Sequence, residues 1–159
     1  IASKQIHHAA LSMVSDEQLR ACGVSGNKIL ALRDLVRREA AQEIPTARQL
    51  QYMSNQQIID ALVATRGIGC WTVEMMLMFR LGRPDVLPID DFGIRKGAQI
   101  LDKTIDMPTP KTLLNRGQVW APFQTMASFY LWRIADFEKE QIKRYQTQTL
   151  ACQHQCHGS

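Results

Sequence analysis

No stretch of this 159-residue chain approaches the roughly eighteen consecutive apolar residues that a membrane-spanning helix needs. The first residues also lack the cationic segment followed by an apolar run that marks a secretory signal. Cysteine is scarce, at four residues, and the well-separated pair Cys22 and Cys70 suits reduced core thiols better than a disulfide framework. From these absences we expect a soluble intracellular protein, cytoplasmic or nucleoid-associated, with no membrane partner.

Strand-type alternation is also nearly absent, whereas signals for the starts and ends of helices recur along the chain. Serine and threonine residues stand where helix caps are expected, three of them with glutamine three positions later. They are Ser15 with Gln18, Thr46, Ser54 with Gln57, and Thr109 before Pro110. We therefore predict an all-α fold, with Pro122 early in a long final helix.

The excess of basic residues is modest. Lys and Arg number 19 against 15 Asp and Glu, which gives a net charge of +4 and a pI near 9.0. This balance favours a polyanionic partner such as nucleic acid. Solvated basic side chains on helix surfaces are the alternative explanation, and the charge alone does not decide between the two.

A pair of glycines, Gly67 and Gly69, lies directly before an apolar helical segment that begins at Cys70. Glycine permits positive φ and a close approach of the backbone to another molecule. The N–H groups and positive dipole end of the following helix would face an anion bound there. Such backbone donors contact phosphate without choosing a base sequence. An ordinary turn between two helices, with glycine at a helix end, is the alternative.

Three segments carry a more specific signal because they occur together and in order. They are GIGCWTVEM at residues 67–75, RPDVLPIDDFG at residues 83–93, and WAPF at 120–123 followed by SFYLWR at 128–133. With these motifs the chain, from about residue 19 to residue 137, resembles the helix-hairpin-helix (HhH-GPD) DNA glycosylase superfamily, most of all its 3-methyladenine DNA glycosylase II branch. The resemblance implies a hydrolase of base excision repair that removes alkylated purines from damaged DNA.

The resemblance also implies one compact glycosylase unit over residues 1–159, with a two-lobed all-α fold. One helical lobe would span about residues 15–108 and contain the helix-hairpin-helix motif at 55–82. The second lobe would combine residues 1–10 with about residues 109–146, and residues 147–159 would form a tail. Cys152, His154, Cys156 and His157 in this tail do not form two well-separated pairs of ligands, so no metal site is predicted.

Asp91 matches the second Asp of the family's Pro-x-Asp-Asp segment, and the resemblance implies that it is the catalytic residue. Hydrolysis of an N-glycosidic bond builds positive charge on the deoxyribose. A fixed carboxylate stabilises that charge and can orient or deprotonate the attacking water. The alternative is that Asp91 only caps the helix that begins at Phe92, although Asp90 could take the capping role instead.

Trp71 stands where strand-cleaving relatives carry the lysine that forms a Schiff base with the sugar. Its presence predicts a monofunctional enzyme, which flips the base out of the duplex, removes it and leaves an abasic site. The resemblance implies a base pocket that includes Trp71, Met75 and Trp132, since Trp132 matches a pocket aromatic of the family and Met75 stands where some relatives carry one. The electron-rich rings of the two tryptophans favour cationic alkylated purines. Each tryptophan could equally belong to the core, and for Trp120 that interpretation is preferred.

Double-stranded DNA with damaged bases is the expected partner, bound by a monomer. The expected DNA-binding residues are Arg66, Gly67, Ile68, Gly69, Cys70, Thr72, Gln5 and Ile6. Gln5 or Ile6 would wedge into the duplex, and a frayed terminal helix is an equally good interpretation of that segment. No organic or redox cofactor is expected, but the resemblance implies that the hairpin carbonyls of Gly67 to Gly69 can hold a monovalent cation.

Two other functions remain open from the sequence. A non-catalytic helix-hairpin-helix module would recognise damaged DNA without releasing a base. A glycosylase for uracil or another deaminated or oxidised base would share the scaffold but need polar groups to recognise a neutral base. Gln124 also departs from the family, since it replaces the arginine common in the Trp-x-Pro-Phe-Arg motif and so removes an expected charge contact.

Overall fold

The computed structural model describes residue 11 and residues 13–156, with side chains described up to residue 144. Within these residues the chain contains helices and no strand, so the all-α prediction is confirmed. The α-helices are α1 (Asp16–Ala21), α2 (Gly26–Ala40), α3 (Ala47–Tyr52), α4 (Asn55–Val63), α5 (Cys70–Phe79), α6 (Phe92–Asp102), α7 (Pro110–Gly117) and α8 (Gln124–Cys156), with a 3-10 helix at Gln118–Trp120. None of these described helices is both long and apolar enough to cross a membrane.

The helix starts follow the capping chemistry of the sequence. Ser15, Thr46 and Ser54 each accept a hydrogen bond from the backbone N–H three residues later. The glutamine at that later position in turn accepts the N–H of the cap residue, which completes a capping box at all three helices. Thr109 caps α7, whose first residue is Pro110. These predicted helix starts are confirmed.

Pro122 lies before the final helix, so its predicted place within that helix is wrong. α8 begins two residues later, at Gln124. Proline favours an extended conformation in the residue that precedes it, and Ala121 has φ −63° and ψ 140°. The N–H of Phe123 then donates to the carbonyl of Trp120, with N···O 2.7 Å, which closes a turn ahead of α8.

Contacts divide the chain into two compact units, Ile1–Gly82 and Arg83–Ser159. The lobe limits implied by the resemblance stay a prediction. In the first unit α4 packs against α5, and the buried apolar side chains are Ile29, Ile58, Leu62, Val73, Leu77 and Met78. Cys22 and Cys70 are exposed, so their predicted place in the core is wrong. Each lies at a helix end, Cys22 as the C-cap of α1 and Cys70 as the first residue of α5, and neither end is buried.

In the second unit, α6 passes very close to α8. The core cluster there consists of Leu87, Ile94, Ala98, Leu113 and Leu131, with Ile89, Trp120 and Trp132 packed against it. A Cβ atom at Gly97 would lie 2.0 Å from the carbonyl oxygen of Leu131 and 2.6 Å from its carbonyl carbon. Only glycine therefore lets the two backbones approach this closely.

Two buried hydroxyl groups hold residues 83–88 against the start of α8. Thr125 Oγ1 donates to the carbonyl of Arg83 (2.7 Å) and accepts the N–H of Val86 (3.1 Å). Ser128 Oγ lies 3.2 Å from the carbonyl oxygen of Val86 and 2.9 Å from that of Gln124, so its single proton is shared between the two. The bonds to Arg83 and Val86 satisfy backbone groups that lie outside helices, and they fix the segment that leads to Asp91.

Candidate functional site

A short turn joins α4 to α5 and has the form expected of the hairpin. The carbonyl of Thr65 accepts the N–H of Ile68 at 3.1 Å, and Gly67, the third residue of this turn, has φ +80°. A β-turn with positive φ at its third position favours glycine there. Arg66, Gly67 and Gly69 are exposed, and Ile68 is half-buried. The turn therefore faces solvent.

The start of α5 has the properties of an anion-binding helix terminus. Gly69 is the N-cap, so this ten-residue helix has no side-chain hydrogen bond from its cap residue. Cys70, Trp71 and Thr72 are exposed. The positive end of the helix dipole and the N–H groups thus lie at an accessible surface, where a phosphate oxygen could accept from them.

Trp71 is not a core residue, because its side chain is 50% exposed. Met75, one helical turn later, is half-buried. Both belong to the first unit, whereas Trp132 belongs to the second. The joining of these three side chains in one base pocket stays a prediction.

Asp91 occupies a fixed position at the start of α6. It is the N-cap, and its Oδ1 accepts the backbone N–H of Ile94 at 2.8 Å. The same oxygen accepts the indole Nε1–H of Trp132, also at 2.8 Å. Asp91 itself, rather than the exposed Asp90, therefore caps the helix. The two donors hold the carboxylate in one orientation, and its catalytic role stays a prediction.

Gly93 provides the space that this arrangement needs. A Cβ atom there would lie 2.8 Å from Trp132 Cδ1 and 3.2 Å from both Trp132 Nε1 and Asp91 Oδ1. Gly93 and Gly97 are four residues apart, so they share one face of α6. Because these two positions carry no side chain, the indole of Trp132 can approach the carboxylate of Asp91. Neither glycine was predicted from the sequence to shape the site, although their spacing is a signal of close helix packing.

Other predicted residues have different outcomes. Gln5, Ile6 and His157 lie outside the described residues, and the side chains of Cys152, His154 and Cys156 are not described either.

Gln124 donates its side-chain N–H to the carbonyl of Gly117 at 3.1 Å, so it has a structural partner within its unit. Trp120 packs on the core cluster beneath the guanidinium of Arg116, as its core interpretation predicted.

Comparison with known proteins finds 3-methyladenine DNA glycosylases among the relatives, although no family model matches the chain. DNA-3-methyladenine glycosylase 1 of Schizosaccharomyces pombe is 40% identical over 126 residues, which cover 77% of this chain and 55% of the relative. A putative DNA-3-methyladenine glycosylase of Bacillus subtilis is 36% identical over 114 residues, which cover 64% of this chain and 40% of the relative.

Solved structures agree with the sequence relatives. The S. pombe 3-methyladenine DNA glycosylase in complex with abasic DNA matches with a TM-score of 0.71 and 38% identity, over 79% of this chain and 61% of that chain. A DNA-3-methyladenine glycosidase from Bacillus halodurans matches with a TM-score of 0.76 and 38% identity, over 84% and 61% of the two chains. The chain thus spans between 40% and 61% of the length of these four relatives. Sequence and fold together confirm the resemblance inferred from the motifs, which is to helix-hairpin-helix DNA glycosylases of the 3-methyladenine branch.

Proposed function

We propose that this chain is a monofunctional DNA repair glycosylase that hydrolyses the N-glycosidic bond of alkylated purines. The observation that carries the proposal is the position of the Asp91 carboxylate, whose Oδ1 accepts both the N–H of Ile94 and the indole N–H of Trp132. Two fixed donors orient a carboxylate that must act at one atom of a substrate. The resemblance to 3-methyladenine DNA glycosylases supplies the class of reaction.

In the proposed reaction, the bond between the base nitrogen and C1′ of the deoxyribose breaks, and its electron pair leaves with the base. An alkylated purine carries positive charge, so it departs as a neutral base without an added proton. Positive charge develops on the sugar, where the Asp91 carboxylate stabilises it. Water then forms the new bond to C1′, and Asp91 accepts the water's proton as general base. The products are a free base and an abasic site.

Damaged double-stranded DNA is the proposed partner of this chain, bound as a monomer. The S. pombe structure was solved in complex with abasic DNA, and the net charge of +4 suits a polyanion. We assign the backbone contact to the turn of residues 65–68 and the exposed start of α5. Trp71 offers no amine for attack on the sugar, so the proposed enzyme leaves the DNA strand uncut.

The turn also suits the monovalent cation that the resemblance implies. Thr65 Oγ1, at the first residue of the turn, is buried and has no hydrogen-bond partner among the described residues. Such an oxygen is a suitable ligand for a cation. It and the carbonyls of Gly67 to Gly69 would hold the ion, which would supply positive charge to a DNA phosphate.

The substrate class can be tested with a set of duplexes that differ only in their lesion. The protein is incubated with methylated DNA and with duplexes containing uracil or 8-oxoguanine, and free bases are measured by mass spectrometry. We expect 3-methyladenine or 7-methylguanine from the methylated DNA and no base from the other two. Release of uracil or 8-oxoguanine instead would assign a different substrate, and tight binding without any release would indicate a non-catalytic module.

Replacing Trp132 by Phe should slow base release without abolishing it. The Trp132→Phe variant keeps an aromatic ring on the core cluster but loses the 2.8 Å hydrogen bond to Asp91. A hydrogen bond to a charged group contributes about 1.5–3 kcal/mol, so we expect a fall of about tenfold or more in the single-turnover rate. Trp120→Phe is the matched control, because Trp120 packs on the same cluster and we assign it no part in the reaction. Equal rates for the two variants would contradict a positioning role for the indole.

A further inference from the structure

The turn of residues 65–68 rests on one face of α2 within the first unit. Asp34 Oδ2 accepts the backbone N–H of Arg66 at 2.9 Å, across 32 residues of sequence. A Cβ atom at Gly67 would lie 2.9 Å from Ala31 Cβ, so the turn backbone is nearly in contact with α2 there. Ala31 and Asp34 are three residues apart and share a helix face. The turn is therefore held at two adjacent points.

Asp34 would be an unfavourable neighbour for DNA phosphate if its charge were not balanced. Its Oδ1 lies 3.0 Å from Arg37 Nη2, and its Oδ2 lies 3.0 Å from Arg38 Nε. Glu43 forms ion pairs with the same two guanidinium groups. Its Oε1 lies 3.4 Å from Arg37 Nη1, and its Oε2 lies 2.9 Å from Arg38 Nη1. The two arginines thus balance the charge of the two carboxylates. The network keeps a hydrogen-bond acceptor for Arg66 without leaving net negative charge beside the turn.

The carboxylate stays ionised over the range in which proteins bind DNA. The N–H of Arg66, followed by the guanidinium of Arg37, lowers the pKa of Asp34 from 3.8 to about 2. Because the pKa is lowered in the folded state, this contact stabilises the fold above pH 3.8, and the contribution is lost as the pH falls toward 2. The Asp34–Arg66 contact is therefore fully present at neutral pH.

We propose that Asp34 is a positioning residue for the DNA-binding turn, which it fixes on α2 by accepting the N–H of Arg66. The inference rests on the proposed function, in which this turn and the start of α5 contact the DNA backbone. A turn that is already ordered loses less conformational freedom when it binds, so fixing it raises affinity. Asp34 does not touch the reacting atoms, and its removal should alter binding rather than the chemical step.

Three variants separate this contact from the surrounding ion pairs. Asp34→Ala removes the acceptor, Asp34→Asn keeps an acceptor oxygen but loses the charge, and Glu43→Ala loosens the two arginines while leaving the Arg66 contact in place. Urea unfolding first establishes that each variant is folded. Amide hydrogen exchange of Arg66 and Gly67, measured by NMR, then reports the order of the turn without DNA. Two further measurements are made on each variant. They are the affinity for a duplex with an abasic-site analogue and the single-turnover rate on methylated DNA at saturating protein.

For Asp34→Ala we expect exchange at Arg66 to accelerate about tenfold or more and the Kd for DNA to rise about tenfold. Its rate at saturation should be unchanged. Asp34→Asn should recover most of the protection and affinity, and Glu43→Ala should resemble the wild type in both.

The proposal is overturned if Asp34→Ala leaves exchange and Kd unchanged, if Asn rescues no better than Ala, or if Glu43→Ala has the same effect as Asp34→Ala. Absence of DNA binding by the wild type would instead refute the proposed function, and Arg66 exchange would still show whether the contact orders the turn.

Discussion

Replacing Asp91 by Asn should lower the single-turnover rate of base release about 100-fold or more, the effect expected when a general base is lost. Asparagine has the same shape and an oxygen that can still accept the N–H groups of Ile94 and Trp132. It is also as good an N-cap as aspartate. The cost to the free energy of unfolding should therefore be at most about 1 kcal/mol, from the lost charge at the start of α6. The rate is measured on methylated duplex DNA, and stability by urea unfolding.

The matched control is Asp90→Asn, which removes the neighbouring carboxylate from an exposed position. We expect this variant to release bases at the wild-type rate. DNA binding by Asp91→Asn should persist, because the proposed DNA contacts belong to the turn and to α5. If Asp91→Asn retained the full rate, or if Asp90→Asn lost as much, the chemical role of Asp91 would be refuted and its carboxylate would be a helix cap only.

The second large effect is expected at Gly97. A Cβ atom in Gly97→Ala would lie 2.0 Å from the Leu131 carbonyl oxygen, and all three nearest atoms are backbone, so no side-chain rotation can relieve the overlap. The helices α6 and α8 would have to separate. We expect the free energy of unfolding to fall by about 3 kcal/mol or more, a large fraction of the 5–15 kcal/mol typical of a small protein. Urea unfolding followed by circular dichroism measures the change.

Gly26→Ala is the control for the intrinsic preference of helices for alanine. Gly26 is the first residue of α2, and nothing lies within 4 Å of the position its Cβ would take. Its replacement should change stability by no more than about 1 kcal/mol, in the direction of a more stable helix. A small effect at Gly97, equal to that at Gly26, would contradict the close approach of α6 to α8.

The sequence was sufficient where the determining interactions are local. The capping boxes at Ser15, Thr46 and Ser54 depend on groups three residues apart, and the turn at Gly67 depends on the φ angle that one glycine permits. Asp91 was singled out by its motif. Whether its cap role would fall to Asp90 instead could not be settled, because both are good capping residues and the choice depends on where α6 begins.

Interactions between residues far apart in sequence could not be predicted. The bond from Trp132 to Asp91 spans 41 residues, and that from Arg66 to Asp34 spans 32. Each bond depends on how closely two elements approach. A glycine or alanine at one position determines that distance. The same dependence on packing explains the error at Cys22 and Cys70, since an apolar residue type does not show whether a helix end is covered.

Monofunctional catalysis by this protein is most directly tested by counting the products of one reaction. Wild-type protein is incubated with methylated duplex DNA, and free bases, abasic sites and strand breaks are quantified in the same sample without alkaline treatment. We predict free 3-methyladenine or 7-methylguanine in numbers equal to the abasic sites, with the strands intact. Strand breaks in proportion to released bases would contradict a monofunctional enzyme, and DNA binding without free bases or abasic sites would contradict catalysis altogether.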